Sequence, residues 1–286
     1  MTKLAAYAVT MAAIALAGVG VGVVDVAARS TEFTLVDRTE RTKTIEGDGT
    51  RATLWSGDGA TVLIDVKSAA LGRTFAAFVN ERAVSLSHVV LTSAIAAQAG
   101  AADRFTGATR IATEAADRRL RADGASGVGL ALSGGVVLRL AGGDLRIDPV
   151  GPALTDGDLV VHLLGERMLV VGDLVTPGLH PRFVAELGGS LRGWLAALRT
   201  LHRRHVEAGT ALVVPANGDV GGVELLAEHA DYLQRIVDTA TAAHERGRTV
   251  DEMLQDAADL REAERARRGG DLDALLRAAY REVERG

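Results

Sequence analysis

Residues 151–181 read GPALTDGDLVVHLLGERMLVVGDLVTPGLHP, and their central part, residues 158–174, decides the fold. Two apolar runs of strand length, rich in Val and Leu, flank a Leu-Gly-Glu-Arg turn, which is the pattern of a β-hairpin. The second run ends in Gly172-Asp173, where a polar loop begins. Upstream, VVLRLAGGDLRIDPV (136–150) repeats the motif with a Gly-Gly-Asp turn, and VGLAL (128–132) adds a short strand. Nearer the start, FTLVD (33–37), ATLWSG (52–57), TVLIDV (61–66) and VSLSHVVLT (84–92) alternate or run apolar as strands do. Residues 69–82 have helical spacing, so Asp65 introduces the loop between a strand and a helix. Helices return at 188–205 and 222–246 around the strand ALVVP (211–215). Strands and helices alternate in two similar halves, a mixed α/β pattern without internal repeats.

A chain of 286 residues with 48% hydrophobic content can bury one sizeable core. The net charge of −5 is small and the Lys and Arg residues are scattered, so nucleic acid is not an expected partner. The absence of cysteine excludes disulfides and thiolate zinc sites, leaving any metal to histidines and carboxylates.

Residues 4–24 carry no charge and follow Lys3. The segment meets the ~20 residues needed to span a bilayer, while Val26-Ala27-Ala28 fits the small-residue rule for signal cleavage. Residues 1–30 are therefore read as a signal peptide or an N-terminal membrane anchor, and the protein as extracytoplasmic, secreted or membrane-anchored. Residues 31–246 form the main domain and 247–286 a charged C-terminal helical extension. Leu272, Leu275, Leu276 and Ala279 make an apolar stripe on its last helix, which predicts docking on its own domain.

Five segments resemble, in order and spacing, the metallo-β-lactamase superfamily. TVLIDV is similar to its strand ending in an aspartate loop, and HVVLTSAIAAQAGAADRF (88–105) to its metal strand and helix. TRIATE (109–114), residues 151–181 and VVPANGDVG (213–221) follow as the family's later words do. The resemblance implies a four-layer αββα sandwich with a site at one edge, where loops 93–98, 151–156, 173–181 and 215–219 meet.

It also implies a dismantled metal centre. The family's His-x-His-x-Asp-His set falls on Ser93, Ile95, Ala97 and Gln98; its next histidine falls on Leu154, and the histidine of its Gly-His-Gly on Asn217. Of these positions only Asp173, after Gly172, keeps a family ligand, whereas a catalytic zinc needs about three protein ligands and an open position. No metal or other cofactor is expected, zinc entering only if an altered site survives. The leading expectation is a catalytically inactive member of this fold that binds a small molecule or a protein partner. The alternatives are a metal-dependent hydrolase with an altered, ligand-poor site, drawing on Asp173, His180, Asp219 or Glu114, and a structural module of a membrane-associated complex.

Among the remaining candidates, His180 falls on the Asp173 loop and is the imidazole best placed to line a pocket with it. His88 and His162 lie in apolar strands and are read as hydrogen-bonded strand residues. His202 and His205, one turn apart, are read as a surface helix face, because two ligands leave a zinc set incomplete. Ser93 has no Gly-x-Ser-x-Gly elbow and no assigned base, so a serine hydrolase is rejected. Alkaline phosphatase fused after Gly286 should be active in cells, because Lys3 orients the apolar segment by the positive-inside preference. An inactive fusion, with a cytoplasmic reporter working at the same position, would refute the topology.

Overall fold

The structure is a computed structural model that describes residues 33–183 and 185–285. The expected signal or anchor segment, residues 1–30, lies outside them.

The first sheet has seven strands in the order β1 (Thr34–Asp37), β2 (Thr42–Gly47), β3 (Thr50–Ser56), β4 (Thr61–Ile64), β5 (Leu86–Val90), β6 (Thr109–Thr113) and β7 (Leu130–Leu132). It is antiparallel through β4 and parallel from β4 to β7. The second sheet runs β12 (Leu212–Pro215), β11 (Met168–Gly172), β10 (Leu159–Leu163), β9 (Gly143–Pro149), β8 (Val136–Leu140). Its two hairpins are those read from the sequence, with His162 opposite Leu169 and Arg139 opposite Asp144.

Side-chain alternation sorts each central strand between two cores. In β4, Val62 and Ile64 face the second sheet, where they meet Leu145, Ile147, Val161 and Val170. Leu63 points the other way, into a cluster with Phe75 and Val79 of α1 (Gly72–Asn80). In β11, Met168 and Val170 enter the inter-sheet core, whereas Leu169 and Val171 pack beneath α4 (Leu191–Glu207) and α5 (Glu224–Glu245). Strands covered on both faces read as continuous apolar runs, which explains TVLI and MLVVG. The layers are helix, sheet, sheet, helix: the αββα sandwich expected from the sequence.

Short helices α2 (Ala96–Ala99) and α3 (Glu114–Ala122) follow β5 and β6. Residues 250–285 form α6 (Val250–Asp256), α7 (Ala258–Ala263) and α8 (Leu272–Arg285). Leu275, Leu276 and Ala279 of α8 are buried in the same cluster as Tyr232 and Ile236 of α5, so the apolar stripe is covered by its own domain. Glu282 accepts hydrogen bonds from the amides of Leu191 (2.7 Å) and Arg192 (3.2 Å), which sets a carboxylate at the N-terminus of α4, where the helix dipole favours it.

Candidate functional site

The loops after β4, β5, β11 and β12 leave from one edge of the sandwich, and Thr92 holds them in place. Its backbone amide and hydroxyl both donate to the Asp65 carboxylate at 2.8–2.9 Å, and its carbonyl accepts from the Leu159 amide of the other sheet at 2.9 Å. Gly172 presses against the same threonine at φ +55°, and a Cβ there would run into Thr92 Oγ1. The residue ending β11 is therefore glycine for two reasons, its left-handed backbone and its close approach.

The loop carrying Leu154 is fixed by Asp158, which accepts from the Thr155 amide (2.7 Å) and hydroxyl (2.6 Å). The loop after β12 is tied down by Arg51, whose guanidinium donates to the carbonyls of Pro215 (2.6 Å) and Gly218 (3.0 Å). Lys67 is wholly buried and donates to Thr50 Oγ1 (2.8 Å) and the Gly47 carbonyl (3.0 Å), with Asp48 at 3.1 Å.

Between these loops lies a cavity of about 530 Å³. Ile95, Ala97, Leu154, Asp173 and Asn217 line it, so five of the seven positions matched to the family's ligands meet in one place. Ser93 is buried, its hydroxyl accepting from the Ile95 amide at 3.2 Å, and Gln98 lies on α2. His180 reaches the cavity as expected, whereas Glu114 and Asp219 are exposed and do not line it.

Asn217 donates its side-chain N–H to Asp173 Oδ1 at 2.6 Å. A zinc ion would need acceptors converging on one point, and here a donor is turned on the carboxylate while Ile95, Ala97 and Leu154 offer no lone pair. His180 engages Tyr232 through Nδ1 at 2.8 Å. Among the described residues no group of three or more His, Asp or Glu side chains is arranged to hold a metal ion. These residues do not fit zinc.

His205 does not sit on a surface face. It continues the inward stripe of Leu198 and Leu201 on α4, bonds Thr210 Oγ1 through Nδ1 at 2.8 Å and packs its ring 4.8 Å from that of His162. Burial pushes His205 down to about 4 and also lowers His162 and His88, so all three are neutral imidazoles at pH 7.

The C-terminal segment braces the Asp173 loop from outside. The His180 amide donates to the Arg268 carbonyl (2.9 Å), and the Arg268 amide to that of Gly178 (3.0 Å). Arg267 stacks 4.1 Å over the Tyr232 ring and is held by Glu264 at 2.8 Å. Burial, and then the Arg267 charge, lowers the pKa of His180.

Two site acids escaped the sequence reading as ionisable groups. Burial pushes Asp65 and Asp158 up to about 7, opposed by their threonine hydrogen bonds and reinforced by the nearby Asp173 charge. Sequence signals existed, an aspartate ending a fully apolar strand and another in Thr-Asp-Gly-Asp, yet neither reveals how completely the carboxylates are enclosed.

No family model and no curated protein matches the sequence. Solved structures do match. A metallo-β-lactamase from Pontibacter korlensis superposes with a TM-score of 0.63 at 18% identity, covering 71% of this chain and 99% of that one. The FIM-1 metallo-β-lactamase from Pseudomonas aeruginosa, solved in a mono-zinc form, gives 0.61 at 18% identity over 71% and 95%. DIM-1 metallo-β-lactamase gives 0.61 at 17% over 71% and 96%. The chain has the metallo-β-lactamase fold.

Asp65 and Asp158 have folded-state pKa values near 7 against 3.8 for an ordinary aspartate, so the folded state binds more protons between those limits. Their contribution to stability is complete below about pH 4 and is lost as pH rises through 7, at up to about 1.4 kcal/mol per pH unit for each proton. Urea unfolding from pH 4.5 to 7.5 should show this decline, and Asp65→Asn should flatten it. An unchanged slope would contradict the assignment.

Proposed function

We propose that this chain is a metal-independent binding protein built on the metallo-β-lactamase fold, which takes a small molecule in the cleft where its hydrolytic relatives in fold carry out their chemistry. The carrying observation is the cavity itself. Ile95, Ala97 and Leu154 stand at ligand positions and give it apolar walls, and Asp173, Asn217 and His180 add a few polar groups, the usual composition of a small-molecule pocket.

A hydrolytic route lacks its parts. Without a metal nothing brings a bound water toward a pKa of ~7, and His180, the imidazole lining the cavity, has its Nδ1 engaged by Tyr232. Residues 4–24 support a location outside the cytoplasm, where the cleft would meet extracellular or envelope solutes. A protein partner at the same edge remains compatible with this reading, but the apolar lining of a concave cavity favours a small ligand.

The full-length protein, purified without chelator, should contain no stoichiometric zinc, and EDTA should leave its melting temperature unmoved. Hydrolysis of chromogenic lactam, thioester and phosphodiester probes should equal a buffer blank. Stoichiometric zinc together with hydrolysis abolished by Asp173→Ala would replace this reading with that of an altered-site hydrolase.

A further inference from the structure

We propose that the cleft selects an uncharged ligand with an alkyl body and one oxygen that accepts a hydrogen bond from Thr176. This rests on the cleft being a binding site and adds the chemistry of the ligand.

The walls account for the body. Ala94, Ile95, Ala97, Leu154, Leu179 and Leu187 line the 530 Å³ cavity. An alkyl chain that enters it leaves water for apolar surroundings, each buried methylene adding about fourfold to affinity.

The same walls account for the absence of charge. An ionised head drawn in among them loses its hydration, which it recovers only from an opposite charge set against it. The ionisable groups of the wall do not supply one. Arg182 and Asp123 are exposed to solvent, which screens their charges. His180 is neutral at pH 7, lowered by burial and then by the Arg267 charge. Asp173 is engaged by Asn217 at 2.6 Å and is not counted as a free charge.

Thr176 accounts for the oxygen. It lines the cavity and is 6% exposed, and its hydroxyl has no hydrogen-bond partner among the described residues. Its carbonyl already accepts from the Leu179 amide at 3.1 Å, so the unmet group is the hydroxyl. A buried hydroxyl without a partner is unfavourable, and the aliphatic walls beside it have no lone pair to offer. A hydroxyl or carbonyl oxygen arriving on the ligand would satisfy it.

Isothermal titration of the full-length protein at pH 7 with 1-octanol, octylamine and sodium octanoate compares three heads on one body. Octanol should bind at least ~10-fold tighter than either ion, and 1-hexanol roughly 10-fold weaker than octanol for its two missing methylenes. Thr176→Val, nearly isosteric, should weaken octanol about fivefold, the scale of one neutral hydrogen bond. Without ligand it should melt higher than the wild type, because it removes an unsatisfied buried group. Thr176→Ser, which keeps the hydroxyl, should bind octanol within about twofold of the wild type. Ala97→Phe, which fills part of the cavity from α2, should cost octanol at least ~10-fold and serves if the Thr176 variants do not fold. Either ion binding as tightly as octanol, or octanol affinity unmoved by Thr176→Val or by Ala97→Phe, would overturn this ligand chemistry while leaving the cleft a binding site. Failure of all four probes to bind would overturn the binding-site reading as well.

Discussion

The hydrogen bonds that join Thr92 to Asp65 and Leu159 are the constraint on which this architecture turns. One residue ties the end of β5 to the end of β4 within its own sheet and to β10 of the opposite sheet. The carboxylate that receives them is completely enclosed, so losing a partner would leave a buried polar group unsatisfied at a cost of about 1–3 kcal/mol. Gly172 fits only because it has no side chain where Thr92 stands. The spacing of the site loops follows from this junction.

Around the junction buried carboxylates stand close to a cavity lined in part by apolar side chains. Burial, with the charge of Asp173 as a smaller contribution, raises Asp65 and Asp158 to about 7. Asp173 is steadied by Asn217, and its loop is clasped from outside by residues 267–268. The C-terminal segment thus belongs to the cleft mechanically, a role that the self-docking expected from its apolar stripe does not by itself convey. Its inward residues, Leu260, Leu275 and Leu276, share a core with α5.

Much of this was legible in the amino-acid sequence where periodicity and turn chemistry agree. The β10–β11 hairpin, the β8–β9 hairpin, α4 and α5 all lie where their patterns place them. β2 escaped notice because TKTIEG has one apolar residue, Ile45; its buried threonines are hidden by their polar type. α3 was missed for the opposite reason, since EAADRRLRA buries only Ala116 and Leu120 and carries its signal in the Thr113 cap. His205 shows that two histidines one turn apart can differ in burial, because helix phase is set by neighbouring leucines. The convergence of Ile95, Leu154 and Asn217 came from an ordered resemblance across 122 positions of sequence separation, which no local pattern conveys. The titration of Asp65 and Asp158 needed three-dimensional enclosure to be seen.

The central claim is that the cleft has exchanged metal coordination for an apolar cavity with a hydrogen-bonded carboxylate at its base. Anomalous scattering recorded at the zinc absorption edge, from crystals grown in excess zinc, tests it at the atoms concerned. The account predicts no anomalous peak beside Asp173. A peak at a zinc–oxygen bonding distance of about 2.0–2.2 Å from its carboxylate, with two further protein donors, would contradict it.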